Sequence, residues 1–146
     1  MMSGAGMMRI SFSEGYNKCF GCGQANPIGL KLRFHQEDGK AVADFIPGEF
    51  HQGWEGILHG GVMSAALDEA IGYAAWYQGA KTVTAKMEIR FKRPVPIGRK
   101  LRLSAEVVKK RRRLLTAKAV ATFEDGAVAA EALATLWVIE GDELPD

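Results

Sequence analysis

The sequence predicts an α+β domain in which an antiparallel sheet of about six strands curls around one long central helix. An alanine-rich stretch at residues 60–79 has helical length and carries apolar side chains on nearly every side. Around it lie short runs that alternate apolar and polar residues, the period typical of half-buried strands. A helix without a polar face must be covered by protein, so we expect the sheet to wrap around it.

The first two strands are predicted to form a hairpin. Leu30, Leu32 and Phe34 alternate with charged residues, and a turn at Asp38-Gly39 precedes a second run at 40–46. The helix follows, and its end is marked by the glycine near position 79.

Four strands are predicted after the helix. The first has five apolar residues at alternate positions, which are Val83, Ala85, Met87, Ile89 and Phe91. Thr84 therefore is expected to face away from the apolar side of that strand. Runs at 101–108, 115–123 and 128–139 are predicted to continue it as a four-strand meander.

Composition places the chain among globular domains. Its 146 residues are 47% hydrophobic and 25% charged, which suits one core, and we predict a flexible lead at 1–15 and one domain at 16–146. The formal net charge of +2 is far below that of a dedicated nucleic-acid binder. The weakly charged stretch at 60–80 carries two carboxylates and fits a membrane span poorly. Two closely spaced cysteines and no leader-like N-terminus favour a cytoplasmic location.

The entrance to the helix resembles the signature of a known enzyme family. The signature is Phe50-His51-Gln52-Gly53-Trp54-Glu55-Gly56-Ile57-Leu58-His59-Gly60-Gly61-Val62, followed by Leu67-Asp68-Glu69-Ala70. It looks like that of the hot dog fold acyl-CoA thioesterases, in the phenylacetate-pathway-like (PaaI-like) branch. Further matching runs are Cys19-Phe20-Gly21-Cys22-Gly23, Asn26-Pro27-Ile28-Gly29-Leu30 and Phe91-Lys92-Arg93-Pro94-Val95. The resemblance implies hydrolysis of an acyl-CoA to a free acid and coenzyme A, with no cofactor.

The glycines of this motif have a chemical use of their own. Gly60 and Gly61 follow His59 and open the helix, where backbone N–H groups have no intrahelical partner. Together with the helix dipole, these donors favour the negative charge that develops on a thioester oxygen during attack. A tight turn into the helix is the alternative reason for the glycines. His59 is a general base by residue type, but histidine at this position is more commonly structural.

Asp68 is the candidate general base or nucleophile. A carboxylate on a helix with so little other charge is costly to bury unless it is paired or used. Glu69 points about 100° away and is predicted to reach a neighbouring lysine or arginine. The resemblance places Thr84 where related enzymes have a Ser or Thr that assists the carboxylate or its water, with a plain surface threonine as the alternative.

The two parts of the predicted site lie far apart on one helix. Asp68 is two turns beyond the glycines, which separates it from their N–H groups by roughly 12 Å. The resemblance implies a homodimer with shared active sites, in which one subunit supplies the glycines and the other the carboxylate. Whether two dimers associate as a homotetramer stays open.

The predicted acyl pocket is aromatic and is lined by Phe50, Trp54, Tyr73, Trp76 and Tyr77. Related enzymes carry Asn or Gln six positions before the motif histidine to hold the thioester carbonyl. Gly53 occupies that position here, so Gln52 beside it is the candidate substitute.

Coenzyme A also carries phosphates, for which Arg93 and Lys92 are candidate contacts. The basic run at 109–113 is predicted to be a solvated hairpin, with contact to the coenzyme A phosphates as the alternative. No metal site is predicted, because Cys19 and Cys22 are accompanied only by scattered histidines.

Two other functions are compatible with this fold. A hydratase or dehydratase needs a histidine base, for which His51 and His59 are the candidates. A non-catalytic acyl-CoA-binding protein would keep the glycines and the pocket but has no use for Asp68. A serine hydrolase is excluded because the chain has no G-x-S-x-G motif.

Overall fold

In the computed structural model, residues 17–141 are described, and the predicted lead at 1–15 lies outside them. The described elements are β1 (His35–Glu37), β2 (Lys40–Phe45), α1 (Gly60–Trp76), β3 (Ala80–Phe91), β4 (Leu101–Arg111), β5 (Leu114–Phe123) and β6 (Val128–Gly141). A 3-10 turn at Glu49–His51 lies between β2 and the helix. The turn at Asp38-Gly39, the strand after it, the long helix and the four later strands are confirmed, with boundaries that shift by a few residues. The first predicted strand is wrong over residues 30–34, which lie outside any strand, because Lys31 takes a positive φ of 54° that extended pairing does not allow.

The strands form one antiparallel sheet in the order β1-β2-β4-β5-β6-β3. The predicted four-strand meander is therefore wrong, because β3 pairs with β6 and β4 pairs with β2. Residues 92–100 carry the chain from one side of the sheet to the other, which lets the early hairpin and the later strands join in one sheet. The twelve residues of β3 form a free sheet edge in the described chain.

The core lies between α1 and the concave face of the sheet. Leu67 and Ile71 of the helix are fully buried, as are Leu103 and Leu136 of the sheet. Burying one such leucine stabilises the fold by about 2 kcal/mol in transfer free energy. The helix is not enclosed on every side as predicted, since its residues 68, 69, 72, 73 and 76 are only half-buried. Residues 17–141 leave one side of the helix accessible.

A β-bulge in β3 decides which of its side chains meet the helix. Thr84 pairs with Leu136 and Lys86 pairs with Thr135, so Ala85 is one extra residue in this strand. Directly paired residues share a face, and Leu136 is fully buried on the helix side. Thr84 therefore faces the helix, which corrects the prediction that it lies on the opposite face. After the bulge the phase changes, and Met87 pairs with buried Ala134.

Candidate active site

The central feature is a hydrogen bond between the helix and the edge strand. Thr84 Oγ1 donates to Asp68 Oδ1 at 2.5 Å. The bond exists because the bulge at Ala85 turns Thr84 toward α1, where half-buried Asp68 lies. A threonine that donates to a carboxylate fixes one oxygen and leaves the other free for a water or a substrate carbon. The two predicted residues are thus brought together in a geometry that suits a general base or a nucleophile.

The amino end of α1 carries one free backbone donor. His59 is the N-cap residue, and its Nδ1 accepts the Gly61 N–H at 2.8 Å. The Gly60 N–H has no partner among residues 17–141, and Gly60 is exposed. Of the two candidate oxyanion donors, the Gly61 N–H is already used to cap the helix. Gly60 keeps the donor that an oxyanion needs.

His59 has a structural role in this arrangement. An imidazole nitrogen that accepts a hydrogen bond carries no proton, so the acceptor role of Nδ1 places the ring proton on Nε2. The same ring would meet a Cβ at Gly53 at 3.2 Å, which keeps that position small. We therefore attribute to His59 a structural role, which is to shape the backbone at the start of the helix.

A shallow cavity of about 290 Å³ lies beside the Gly60 amide. Met63 and Phe91 supply its apolar surface, and Arg93 adds an exposed cation at its rim. Lys92 also borders the cavity, although its Nζ lies 3.6 Å from Glu131. The cavity therefore combines a backbone donor, an apolar wall and a guanidinium that suits phosphate.

The residues before the helix are held by their own hydrogen bonds. Gln52 Oε1 accepts the Gly56 N–H at 2.8 Å, which occupies its carbonyl and leaves the amide NH2 as the group that can meet a substrate. Phe50 and Trp54 are 92% and 85% exposed. The prediction that they share one pocket with Tyr73 is wrong for a single chain, because they lie before the amino end of α1 and Tyr73 near its carboxyl end.

A second cavity, of about 200 Å³, lies beyond Asp68 along the helix. Gly72, Tyr73 and Trp76 line it, together with Thr82 of the edge strand. The Tyr73 ring stacks on Phe34 with centroids 4.6 Å apart. Burial raises the pKa of the Tyr73 phenol well above its usual range, so the phenol is neutral and acts as a hydrogen-bonding group at neutral pH.

The same cavity contains a cluster that the sequence analysis did not foresee. Cys19 Sγ lies 3.6 and 3.7 Å from the two carboxylate oxygens of Glu69, and Cys22 lines the cavity beside them. Glu69 therefore contacts two thiols, and the prediction that it reaches a lysine or arginine is wrong. Burial and the Glu69 hydrogen bond raise the pKa of the Cys22 thiol well above its usual range. The only sequence signal was the spacing of the two cysteines, since nothing paired them with a helix carboxylate.

The basic run lies away from both cavities. Residues 109–113 close the β4–β5 hairpin, and Arg112 takes a positive φ of 57° at its turn. Its side chains are largely exposed, as expected of a solvated hairpin. In the part of the chain that is described, no helix combines the length and apolar character that crossing a membrane requires.

Comparison with curated proteins identifies relatives of known name. Residues 55–130 match the model of the Thioesterase superfamily. Acyl-coenzyme A thioesterase THEM5 of Mus musculus is 34% identical over 76 residues, which are 52% of this chain and 31% of that protein. Acyl-coenzyme A thioesterase THEM4 of Bos taurus is 36% identical over 87 residues, which are 50% of this chain and 35% of that protein. The match thus spans about a third of the length of these relatives.

Comparison with solved structures supports the same assignment. The phenylacetic acid degradation protein PaaI of Thermus thermophilus, solved as a mutant, is 26% identical with a TM-score of 0.69, covering 75% of this chain and 95% of that chain. The E. coli PaaI protein is 22% identical with a TM-score of 0.71, covering 77% and 82%. A thioesterase superfamily protein reaches a TM-score of 0.79 at 25% identity, covering 84% and 61%. The chain belongs to the Thioesterase superfamily and has its hot dog fold.

Proposed function

We propose that this chain hydrolyses acyl-CoA thioesters. The observation that carries the proposal is the Asp68 carboxylate, which accepts a hydrogen bond from the Thr84 hydroxyl at 2.5 Å and lies one helical turn before Gly72 of the apolar cavity. The names of the matched relatives, which are acyl-coenzyme A thioesterases, support the substrate class. A carboxylate in that setting is able to take a proton from water or to attack a thioester carbon itself.

The reaction follows from where these groups lie. The free Asp68 oxygen accepts a proton from a water molecule, whose oxygen forms a bond to the thioester carbon. The negative charge that develops on the carbonyl oxygen is stabilised by the Gly60 N–H at the positive end of α1. The tetrahedral intermediate then collapses, the carbon–sulfur bond breaks, and the coenzyme A thiolate leaves. In the second route, Asp68 attacks the carbon and water hydrolyses the resulting anhydride.

We further propose that each site is shared between two copies of the chain. Asp68 lies eight residues after Gly60 on one straight helix, a separation of about 12 Å that exceeds the reach of one thioester group. The free edge of β3 runs beside Asp68 and Thr84 and offers twelve residues for pairing with a second copy. A homodimer joined there would place the Gly60 end of one chain near the Asp68 of the other. Light scattering that shows a stable, active monomer would exclude this arrangement.

We propose contacts with three parts of the substrate, which are a phosphate, the thioester or pantetheine chain, and the acyl group. Arg93 beside Gly60 binds a phosphate of coenzyme A, and the amide NH2 of Gln52 helps to orient the thioester or the pantetheine chain. The acyl group enters the cavity lined by Tyr73 and Trp76. We place the reaction in the cytoplasm, because the two cysteines form no disulfide in the described residues, as suits a reducing compartment.

The experiment is an activity assay of the purified chain against a panel of acyl-CoAs, with the release of free thiol as readout. We expect turnover with at least one acyl-CoA and a loss of about 100-fold or more in kcat for Asp68→Asn. Asp44→Asn makes the same chemical change on exposed β2 and should leave kcat unchanged. If no acyl-CoA is cleaved although several bind, the protein is an acyl-CoA-binding module instead. In a single turnover in ¹⁸O-labelled water, label in Asp68 would identify the anhydride route with water attacking the Asp68 carbonyl carbon, because the general-base route puts label only into the free acid.

A hydratase or dehydratase is less well supported. His51 Nδ1 accepts the Gly48 N–H at 2.9 Å, as His59 Nδ1 accepts that of Gly61. Both histidines are thus engaged in shaping the backbone before the helix. Crotonyl-CoA hydration serves as the counter-screen, and hydration faster than thiol release would favour this alternative.

A further inference from the structure

We propose that Cys19, Cys22 and Glu69 form a binding site for Zn²⁺ that fastens the loop at residues 19–32 to helix α1. One sulfur from each cysteine and one carboxylate oxygen of Glu69 lie within 4.8 Å of one another. All three residues are half-buried and line the cavity that also contains Tyr73. The site does not include Asp68 and lines the cavity that we assign to the acyl group, but metal binding itself does not depend on the proposed hydrolysis.

The distances fit two ligands of one tetrahedral ion. Zinc binds sulfur at about 2.3 Å and carboxylate oxygen at about 2.0–2.2 Å, so a sulfur and an oxygen on the same zinc are about 3.6 Å apart. Cys19 Sγ lies 3.6 and 3.7 Å from the two Glu69 oxygens. The Cys22 sulfur lies within 4.8 Å of the other two ligand atoms, so it would move closer when it binds the same ion. The adjoining cavity of about 200 Å³ leaves room for a water as the fourth ligand.

The charge of the cluster also favours a cation. Within residues 17–141 Glu69 makes no salt bridge, and its hydrogen bonds come from thiol, a weak donor. A half-buried carboxylate needs stronger compensation than that. Two sulfurs and one oxygen form a donor set that suits zinc and disfavours Mg²⁺ or Ca²⁺, which prefer oxygen ligands.

The loop is built so that the cysteines approach the helix closely. A Cβ at position 21 would lie 2.5 Å from Glu69 Oε1. Glycine at this position therefore allows the Glu69 carboxylate to approach the two thiols. Backbone hydrogen bonds from Leu30 to Phe20, at 2.8 Å, and from Leu32 to Gly21, at 2.9 Å, fix the loop on both sides. The three ligands are therefore preorganised by a rigid backbone, as a metal site requires.

The prediction of no metal site considered only histidines as partners of the cysteines. Zinc with three protein ligands and a water in the fourth position is the arrangement of catalytic zinc sites, and the cluster has the same number of protein ligands. Glu69 was not predicted as a ligand, because it stands 47 positions after Cys22 in the chain and is adjacent to the candidate catalytic carboxylate. The fold, and not the local spacing, brings it to the thiols.

The test titrates Co²⁺, a spectroscopic substitute for zinc, into the full chain after chelation and reduction with a phosphine. The chain has two cysteines, so a sulfur-to-cobalt charge-transfer band can arise only from this cluster. We expect one cobalt per chain, displacement of cobalt by zinc, and a melting temperature raised by several degrees with zinc. Cys22→Ser should lose about half of the band intensity, because one of two thiolates remains.

The carboxylate is tested separately. Glu69→Gln should keep the fold and bind cobalt at least about tenfold more weakly, while Glu88→Gln, an exposed glutamate on β3, should bind it like the parent chain. Gly21→Ala should weaken binding as well, because its Cβ displaces the carboxylate. A folded parent chain without a charge-transfer band, or equal affinity in Glu69→Gln, would overturn the proposal. Both readouts are independent of thioester cleavage.

Discussion

Replacing Gly60 with proline removes one hydrogen-bond donor from the proposed site while leaving the helix intact. Gly60 is the first residue of α1, where proline is favoured because the N–H there has no intrahelical partner. His59 has φ −65° and ψ 133°, an extended conformation that the residue before proline prefers. An added Cβ would meet Phe91 at 3.7 Å, an ordinary contact. We therefore expect Gly60→Pro to fold and to melt close to the parent chain.

The effect on turnover should be large. Losing one oxyanion donor lowers kcat by about 10²–10³-fold, or about 2.7–4 kcal/mol of transition-state stabilisation. Gly60→Ala is the matched control, because it adds a Cβ at the same place and keeps the N–H. The ratio of kcat between the two variants, measured as free-thiol release, therefore isolates the donor. If a folded Gly60→Pro turns over as fast as Gly60→Ala, the Gly60 N–H does not stabilise the oxyanion.

Three further changes test other parts of the site and the core. Thr84→Val removes a hydrogen bond to a carboxylate worth about 1.5 kcal/mol, so kcat/KM should fall about tenfold, whereas Thr116→Val on β5 should leave it unchanged. Arg93→Gln should raise KM for acyl-CoA but not for a pantetheine thioester, which lacks the phosphates. Arg113→Gln in the exposed hairpin is the control and should leave both KM values unchanged. Equal effects of Arg93→Gln on both substrates would exclude a phosphate contact. Leu67→Ala should lower the free energy of unfolding by about 2–5 kcal/mol in a denaturant titration, because Leu67 is fully buried; a loss below 1 kcal/mol would contradict the described core.

The helix and the later strands were predicted well, because the spacing of apolar residues along the chain differs between helices and strands. The order in which the strands pair and the bulge in β3 were not predicted, because both depend on contacts between residues that are distant in sequence. Alternation in β3 reads as one uninterrupted pattern from Val83 to Phe91, yet the extra residue Ala85 reverses the facing of the first half. Since nothing in the local pattern marks Ala85 as unpaired, the position of Thr84 had to come from its partner strand.

The chemistry of the site was predictable to a similar extent. Asp68 and Gly60 were selected as candidates from residue type and position, because carboxylates are rare on an apolar helix and a glycine at its start leaves a backbone donor accessible. The difference between Gly60 and Gly61 was not predictable, since it depends on the rotamer of His59. The contact of Glu69 with the cysteines likewise required the fold to bring a loop onto the helix.

The most direct test of the shared site mixes two inactive variants. Gly60→Pro and Asp68→Asn chains are unfolded together and refolded, so that half of the dimers contain one chain of each kind. If one chain supplies Gly60 and its partner supplies Asp68, each mixed dimer has one intact site. The mixture should then recover about a quarter of the parent activity per chain, since half of the dimers have half of their sites. Recovery no greater than the sum of the two variants would contradict a site shared between chains.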